Sequence, residues 1–130
     1  MEAETLPSTA GARLALNLVE RIGREVGERL RASQPAVWRW RGREVKLVDG
    51  TTESMPDTSE NQAEFPQSKS QKPGLGFPLA RVVAIISLPC GAVLEWATGP
   101  CKGKRTGETA LLWKLAHRLQ AGDVLGLRQR

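Results

Sequence analysis

The stretch Val45-Lys46-Leu47-Val48-Asp49-Gly50-Thr51-Thr52 carries an aliphatic run into a carboxylate. Alternation puts Val45, Leu47 and Asp49 on one side of a strand and Glu44, Lys46 and Val48 on the other. Asp49 therefore continues an apolar face out to the strand's tip. Asp-Gly also marks turns, and a solvated turn aspartate costs little. A hairpin turn, however, would lead into a paired strand, and here a long polar stretch follows. Carboxylates at strand tips facing a cleft are how two-metal phosphoryl-transfer sites are built, with ions about 4 Å apart activating the nucleophile and stabilising the leaving oxygen. Magnesium prefers such hard oxygen ligands and shares them with substrate phosphates. One aspartate alone does not make a site, so on chemistry alone the turn is the simpler reading.

A second stretch, Gly99-Pro100-Cys101-Lys102-Gly103-Lys104-Arg105, is a basic, glycine-rich loop between a strand and a helix. It invites comparison with a phosphate-binding P-loop, and the spacing fails. Gly99 to Gly103 is one residue too short, and Arg105 separates Lys104 from Thr106. Backbone amides at the helix start remain able to hold a DNA phosphate, although a plain surface loop is the simpler account. Cys90, Cys101 and His117 cannot complete a four-ligand zinc site. Two cysteines are too sparse for a disulfide scaffold, and they read as reduced thiols.

The elements that must position these residues belong to a chain of 130 residues, 40% hydrophobic and 25% charged. That is the size and make-up of one modest soluble domain. A net charge of +5 favours polyanionic partners, nucleic acid above all. The first residues are acidic and lack a cationic segment followed by an apolar one. The longest apolar runs fall far below the roughly 20 residues that cross a bilayer. A cytoplasmic protein is expected.

Residues 10–31 predict an amphipathic helix, capped by Ser8 or Thr9, with Ala15, Leu18, Val19, Ile22, Val26 and Leu30 as its apolar stripe and a solvated charged outer face. Residues 37–49 predict a hairpin turning at Arg41-Gly42, with Trp38 and Trp40 packed onto the neighbouring helix rather than stacked on bases. Residues 50–78 lack periodicity and read as an ordered excursion, with Met55-Pro56, Phe65-Pro66 and Phe77-Pro78 as anchors. Two strands follow, 79–88 and 92–98, the first apolar enough that both its faces should be covered. A helix capped by Thr106 then buries Leu111, Leu112, Leu115, Ala116 and Leu119, with His117 and Arg118 in its last turn and Gly122 as its stop. Asp123-Val124-Leu125 opens another strand. The fold class is α/β (α+β).

From about residue 37 the chain resembles the insertion-sequence DDE transposases of the type-four group. The resemblance runs through Val45 to Thr52, Ser54-Met55-Pro56-Asp57-Thr58, Glu60-Asn61-Gln62, Gln71-Lys72-Pro73-Gly74, Gly76-Phe77-Pro78, Ala80-Arg81, Gly99-Pro100, Lys102-Gly103-Lys104, Thr106-Gly107-Glu108 and Gly122-Asp123-Val124-Leu125. It implies an N-terminal helical segment over 1–36 and a partial RNase H-like catalytic domain over 37–130. It also implies DNA transposition by two-metal phosphoryl transfer with Mg2+, and Asp49 as catalytic residue and first of three acidic metal ligands on the central strand. Transposon-end DNA is the implied partner, with a homo-oligomer or an assembly with an intact transposase beside it.

The departures count too. The family's second aspartate follows the Gly-Asp-Val-Leu opening in a Leu-Ala-Asp-Arg context, and Arg128 occupies roughly that position here. The third ligand, a glutamate, lies further along than this chain runs. The chain thus reads as an internal fragment that does not cut DNA by itself, its first strand left as an exposed edge. The alternative is a non-catalytic DNA-binding or regulatory derivative, with Lys46, Lys69, Lys72, Lys102, Lys104 and Arg105 contacting phosphates. An unrelated basic α/β domain is the third reading.

Overall fold

β-Branched and aliphatic residues dominate the segments around Val48, Val83 and Leu94, and these three lie side by side in one sheet. The computed structural model describes residues 14–104 and 106–127. In chain order the elements are α1 (Leu16–Ser33), β1 (Val45–Ser54), α2 (Ser59–Glu64), β2 (Leu79–Ser87), β3 (Val93–Pro100), α3 (Glu108–Leu115) and β4 (Val124–Leu127). The sheet has the order β3-β2-β1-β4. β1 pairs antiparallel with β2, β2 antiparallel with β3, and β1 parallel with β4. The β2–β3 link can be short because the strands are antiparallel, and Gly91 supplies its positive φ of 68°. A parallel partner for β1 needs a crossover, and α3 provides it. The protein is therefore a mixed α/β fold, as expected.

The core lies between one face of the sheet and α3. Val48, Val83, Ile85, Leu94, Leu111 and Leu115 form a buried cluster, with Leu112 and Leu119 packed against it. The helix starts differently from expectation. Its N-cap is Gly107, without a side-chain cap, while the Thr106 hydroxyl donates to the Gly103 carbonyl at 3.0 Å. The opposite sheet face is only half-buried at Val82, Ala84 and Ile86. The apolar character of β2 thus does not translate into cover on both faces.

α1 departs from its amphipathic pattern. It begins at Leu16 and not at residue 10, and Ser8 and Thr9 lie outside the described residues. Leu16, Val19, Ile22, Val26 and Leu30 remain 47–72% exposed. The helix instead meets β3 through glycines, because only a missing side chain lets two backbones approach this closely. A methyl at Gly27 would lie 2.0 Å from the Val93 carbonyl oxygen, whereas one at Gly23 would meet the far end of Trp96 at 2.7 Å. Gly27→Ala is expected to destabilise by about 1–3 kcal/mol in chemical denaturation despite the better helix propensity of alanine. Gly23→Ala should be close to neutral, since the indole can tilt away. Equal melts for the two variants would show that α1 does not seat through Gly27.

The hairpin before β1 reduces to its turn. Arg41 (φ 49°) and Gly42 (φ 75°) form it, closed by a single Trp40–Arg43 bridge. Ala36–Trp38 is a 3-10 turn and not a strand. Trp38 and Trp40 line a cavity of about 420 Å³ with Val45, Leu88, Pro89 and Val124 at the end of the sheet, not on α1. Beyond Asp49, β1 continues to Ser54 and pairs with β2 throughout. The excursion after it holds α2, capped by the Thr58 hydroxyl, which accepts from Asn61 N at 3.1 Å. Met55 N donates to the Pro78 carbonyl at 2.9 Å and Leu79 N to that of Phe65 at 3.1 Å, closing the excursion at its base. Among the described residues no helix is long and apolar enough to cross a membrane.

Candidate functional site

Asp49 is not at a strand tip. It sits mid-strand in β1, opposite Ala84 of β2. On its other side, the described pairing of β1 with β4 runs from Val45↔Val124 to Val48↔Leu127. β1 is therefore not bare along its first half, which corrects the expectation of an exposed central edge.

The geometry there is specific. One Asp49 carboxylate oxygen accepts the Gly50 N–H at 2.9 Å. Gly50 projects toward α3, and a methyl on it would lie 2.9 Å from the Glu108 carboxylate carbon. Glycine at position 50 is what lets the first side chain of α3 lie over β1. Asp49, Gly50 and Glu108 border one cavity of about 180 Å³ with Val48, Val83, Leu112 and Leu127; alternation sets the Asp49 side chain on the Ala84 face of the sheet, while Glu108 lies on the Gly50 face with α3. Glu108 stands in the first turn of α3, where a carboxylate is favoured by the helix dipole. The sequence reading gave Glu108 no part in a site. The missed signal was Glu108's membership of Thr106-Gly107-Glu108, inside the stretch that resembles the transposases.

The basic residues divide. Lys46 is 4% exposed, and its Nζ donates to Asp123 Oδ2 at 2.7 Å and to the Arg118 carbonyl at 2.9 Å. It is a buried structural cation and leaves the set of phosphate contacts, because alternation turned it toward α3 and not toward solvent. Burial pushes the Asp123 carboxyl up, but the Lys46 hydrogen bond, the Gln120 amide and nearby positive charge outweigh it and hold the group below its ordinary value. Lys69 and Lys102 come together on a second cavity, of about 330 Å³. Lys72 and Lys104 are exposed on the same two loops but do not line it. Arg105 and Arg128 lie outside the described residues. Both cysteines are free. No group of three or more His, Cys, Asp or Glu able to hold a metal occurs among the described residues.

No protein-family model, no curated protein and no solved structure matches the chain.

Proposed function

We propose that this chain carries the metal-binding start of a DDE-transposase catalytic site on an RNase H-like sheet, serving DNA strand transfer in the cytoplasm. The observation that carries the reading is the single cavity bordered by Asp49, Gly50 and Glu108. The sheet order supports it as well: a central β1, an antiparallel β2 and β3 on one side, and a parallel β4 reached through a helix on the other. The resemblance through Val45–Thr52 assigns Asp49 as first ligand. Glu108 joins it here as a neighbouring carboxylate.

Two carboxylates suit Mg2+, which is commonly held by one or two protein carboxylates and completed by water and substrate phosphate. Asp49 would hold the ion on its own face of β1, and Glu108 flanks the same strand over Gly50 on the α3 side. The ion's part is to polarise a phosphate oxygen and lower the pKa of bound water. A two-ion site needs more oxygen ligands than this pair offers. The purified chain is therefore expected to bind DNA without nicking it. Magnesium-dependent nicking that disappears in Asp49→Asn would overturn that expectation.

The reading itself is tested by Mn2+ titration followed by electron paramagnetic resonance. Asp49→Asn should weaken the ion's binding by about tenfold or more and Glu108→Gln by a smaller factor, on the scale of lost ligand and outer-sphere support. Identical titrations for wild type and Asp49→Asn would sink the assignment. The second reading, a DNA-binding derivative without catalysis, is favoured by the lysine-lined cavity.

A further inference from the structure

We propose that the cavity between the Pro66–Lys69 turn and the Cys101–Gly103 loop binds a phosphodiester, seating a DNA backbone along the α3-facing side of the sheet. The inference rests on the reading above for its partner and deepens it by naming where the backbone is held. Lys69 and Lys102 come from segments far apart in sequence and converge on this one concavity with Ser68, Leu79 and Cys101. Among the described residues no carboxylate lines it. The described ion pairs join Arg24 to Glu95, Arg29 to Glu25, Arg31 to Glu44, Lys46 to Asp123 and Arg118 to Glu28. Lys69 and Lys102 form none of the ion pairs found among the described residues. Two like charges gathered in one hollow without an acid call for an external anion.

The turn that carries Lys69 is braced beforehand. The Gln67 side-chain carbonyl accepts from Gly74 N and Gly76 N, each at 3.1 Å, and its amide donates to the Lys72 carbonyl at 2.8 Å. Gln62 ties the same turn inward, donating to the Gly76 carbonyl at 2.9 Å and accepting from Gln67 N at 3.2 Å. Preorganised donors lose little entropy on binding, which is how a shallow basic site gains affinity. The placement then favours a polymer over a free anion. Leu79, Arg81 and Val83 share the α3-facing side of β2, and Val83 is the partner of Gly50. Leu79 is four residues from Val83 along β2, roughly 13 Å at about 3.3 Å per residue. That span is about four steps of a duplex at ~3.4 Å rise. Arg81 lies between the two cavities, its Nη1 donating to the Thr106 carbonyl at 3.1 Å and tying β2 to the loop.

Cys101 is a reporter inside the cavity. In the full chain carrying Cys90→Ala, so that Cys101 is the sole thiol, alkylation by iodoacetamide is followed with and without a short DNA duplex at low salt. Duplex at about ten times its Kd should slow alkylation by about tenfold. Lys69→Ala with Lys102→Ala should abolish that protection and reduce the slope of log K against log salt by about 2, with an unchanged thermal melt as the check on folding. Asp49→Asn should leave protection intact, so failure of the metal assignment and failure of the cavity read separately. Duplex that binds, by fluorescence anisotropy, without protecting Cys101 would overturn the cavity and leave DNA binding standing. Inorganic phosphate that protects as well as duplex would make this a small-anion site and overturn the polymer assignment. Absence of any duplex binding would overturn both.

Discussion

Asp123→Ala is expected to destabilise the protein by about 3–5 kcal/mol, the scale seen when one partner of a buried ion pair is removed. The Lys46 and Asp123 side chains are only 5% and 12% exposed and meet at 2.7 Å. Asp123 also accepts from Gln120 N at 2.8 Å, holding the bend that leads into β4. Without the carboxylate, the Lys46 ammonium stays buried with the Arg118 carbonyl as its remaining hydrogen-bond acceptor. Lys46→Met together with Asp123→Ala should recover much of the loss, because an apolar replacement of the pair leaves no buried charge uncompensated. The pH dependence follows from the depressed carboxyl. Its stabilisation is fully present above the unfolded pKa of about 3.9 and is lost as pH falls through the lower folded value. Urea melts of wild type and Asp123→Ala should thus lie far apart at neutral pH and converge in acid. Coincident melts at neutral pH would mean that the pair does not hold β4 against β1. The site has a stake in this contact, since Leu127 of β4 lines the cavity that Asp49 borders.

Leu111→Ala is expected to cost about 2–5 kcal/mol, the range for emptying a well-packed leucine site. Leu111 is 1% exposed in the main cluster. A methyl on Gly99 would already lie 3.2 Å from Leu111 Cδ2, so β3 is fitted to this side chain and cannot easily close over a void. Trp113, two residues on, is 73% exposed, and Trp113→Ala should change stability by less than about 0.5 kcal/mol. Leu111 also carries function at one remove. It stands three residues after Glu108 on the same short helix, so a loosened α3 releases the carboxylate that lies over Gly50. The truncation should weaken Mn2+ binding at temperatures where the variant remains folded. A Leu111→Ala chain that melts like wild type would mean that α3 is not the element covering this sheet face.

These two sites also mark how far local sequence could be read. The apolar spacing of Leu111, Leu112, Leu115 and Leu119 identified α3 and its buried side because that information lies within one helical turn. Asp123 looked like no more than a strand-opening residue, because its partner Lys46 is remote in the chain. The two strands around Gly91 were legible with their turn, since hairpin pairing is local.

Composition, periodicity and turn residues by themselves determined the α/β class, the turn at Arg41-Gly42, the β2–β3 hairpin and the apolar stripe of α3. Each depends on neighbours within a few residues, where backbone preference and side-chain alternation act directly. Only the tertiary structure decided the rest. The stripe on α1 predicts burial, yet Gly27 packs because β3 offers a backbone carbonyl where a side chain has no room. Thr51-Thr52 reads as loop after Asp-Gly, yet β1 runs on to Ser54 because β2 supplies a hydrogen-bonding edge along its whole length. Lys46 reads as a phosphate contact until α3 covers its face and Asp123 neutralises it. Glu108 enters the cavity of Asp49, and Lys69 that of Lys102, only after the chain has folded back on itself. Pairings between distant segments carry no local period, so burial, charge compensation and close backbone approach settle them.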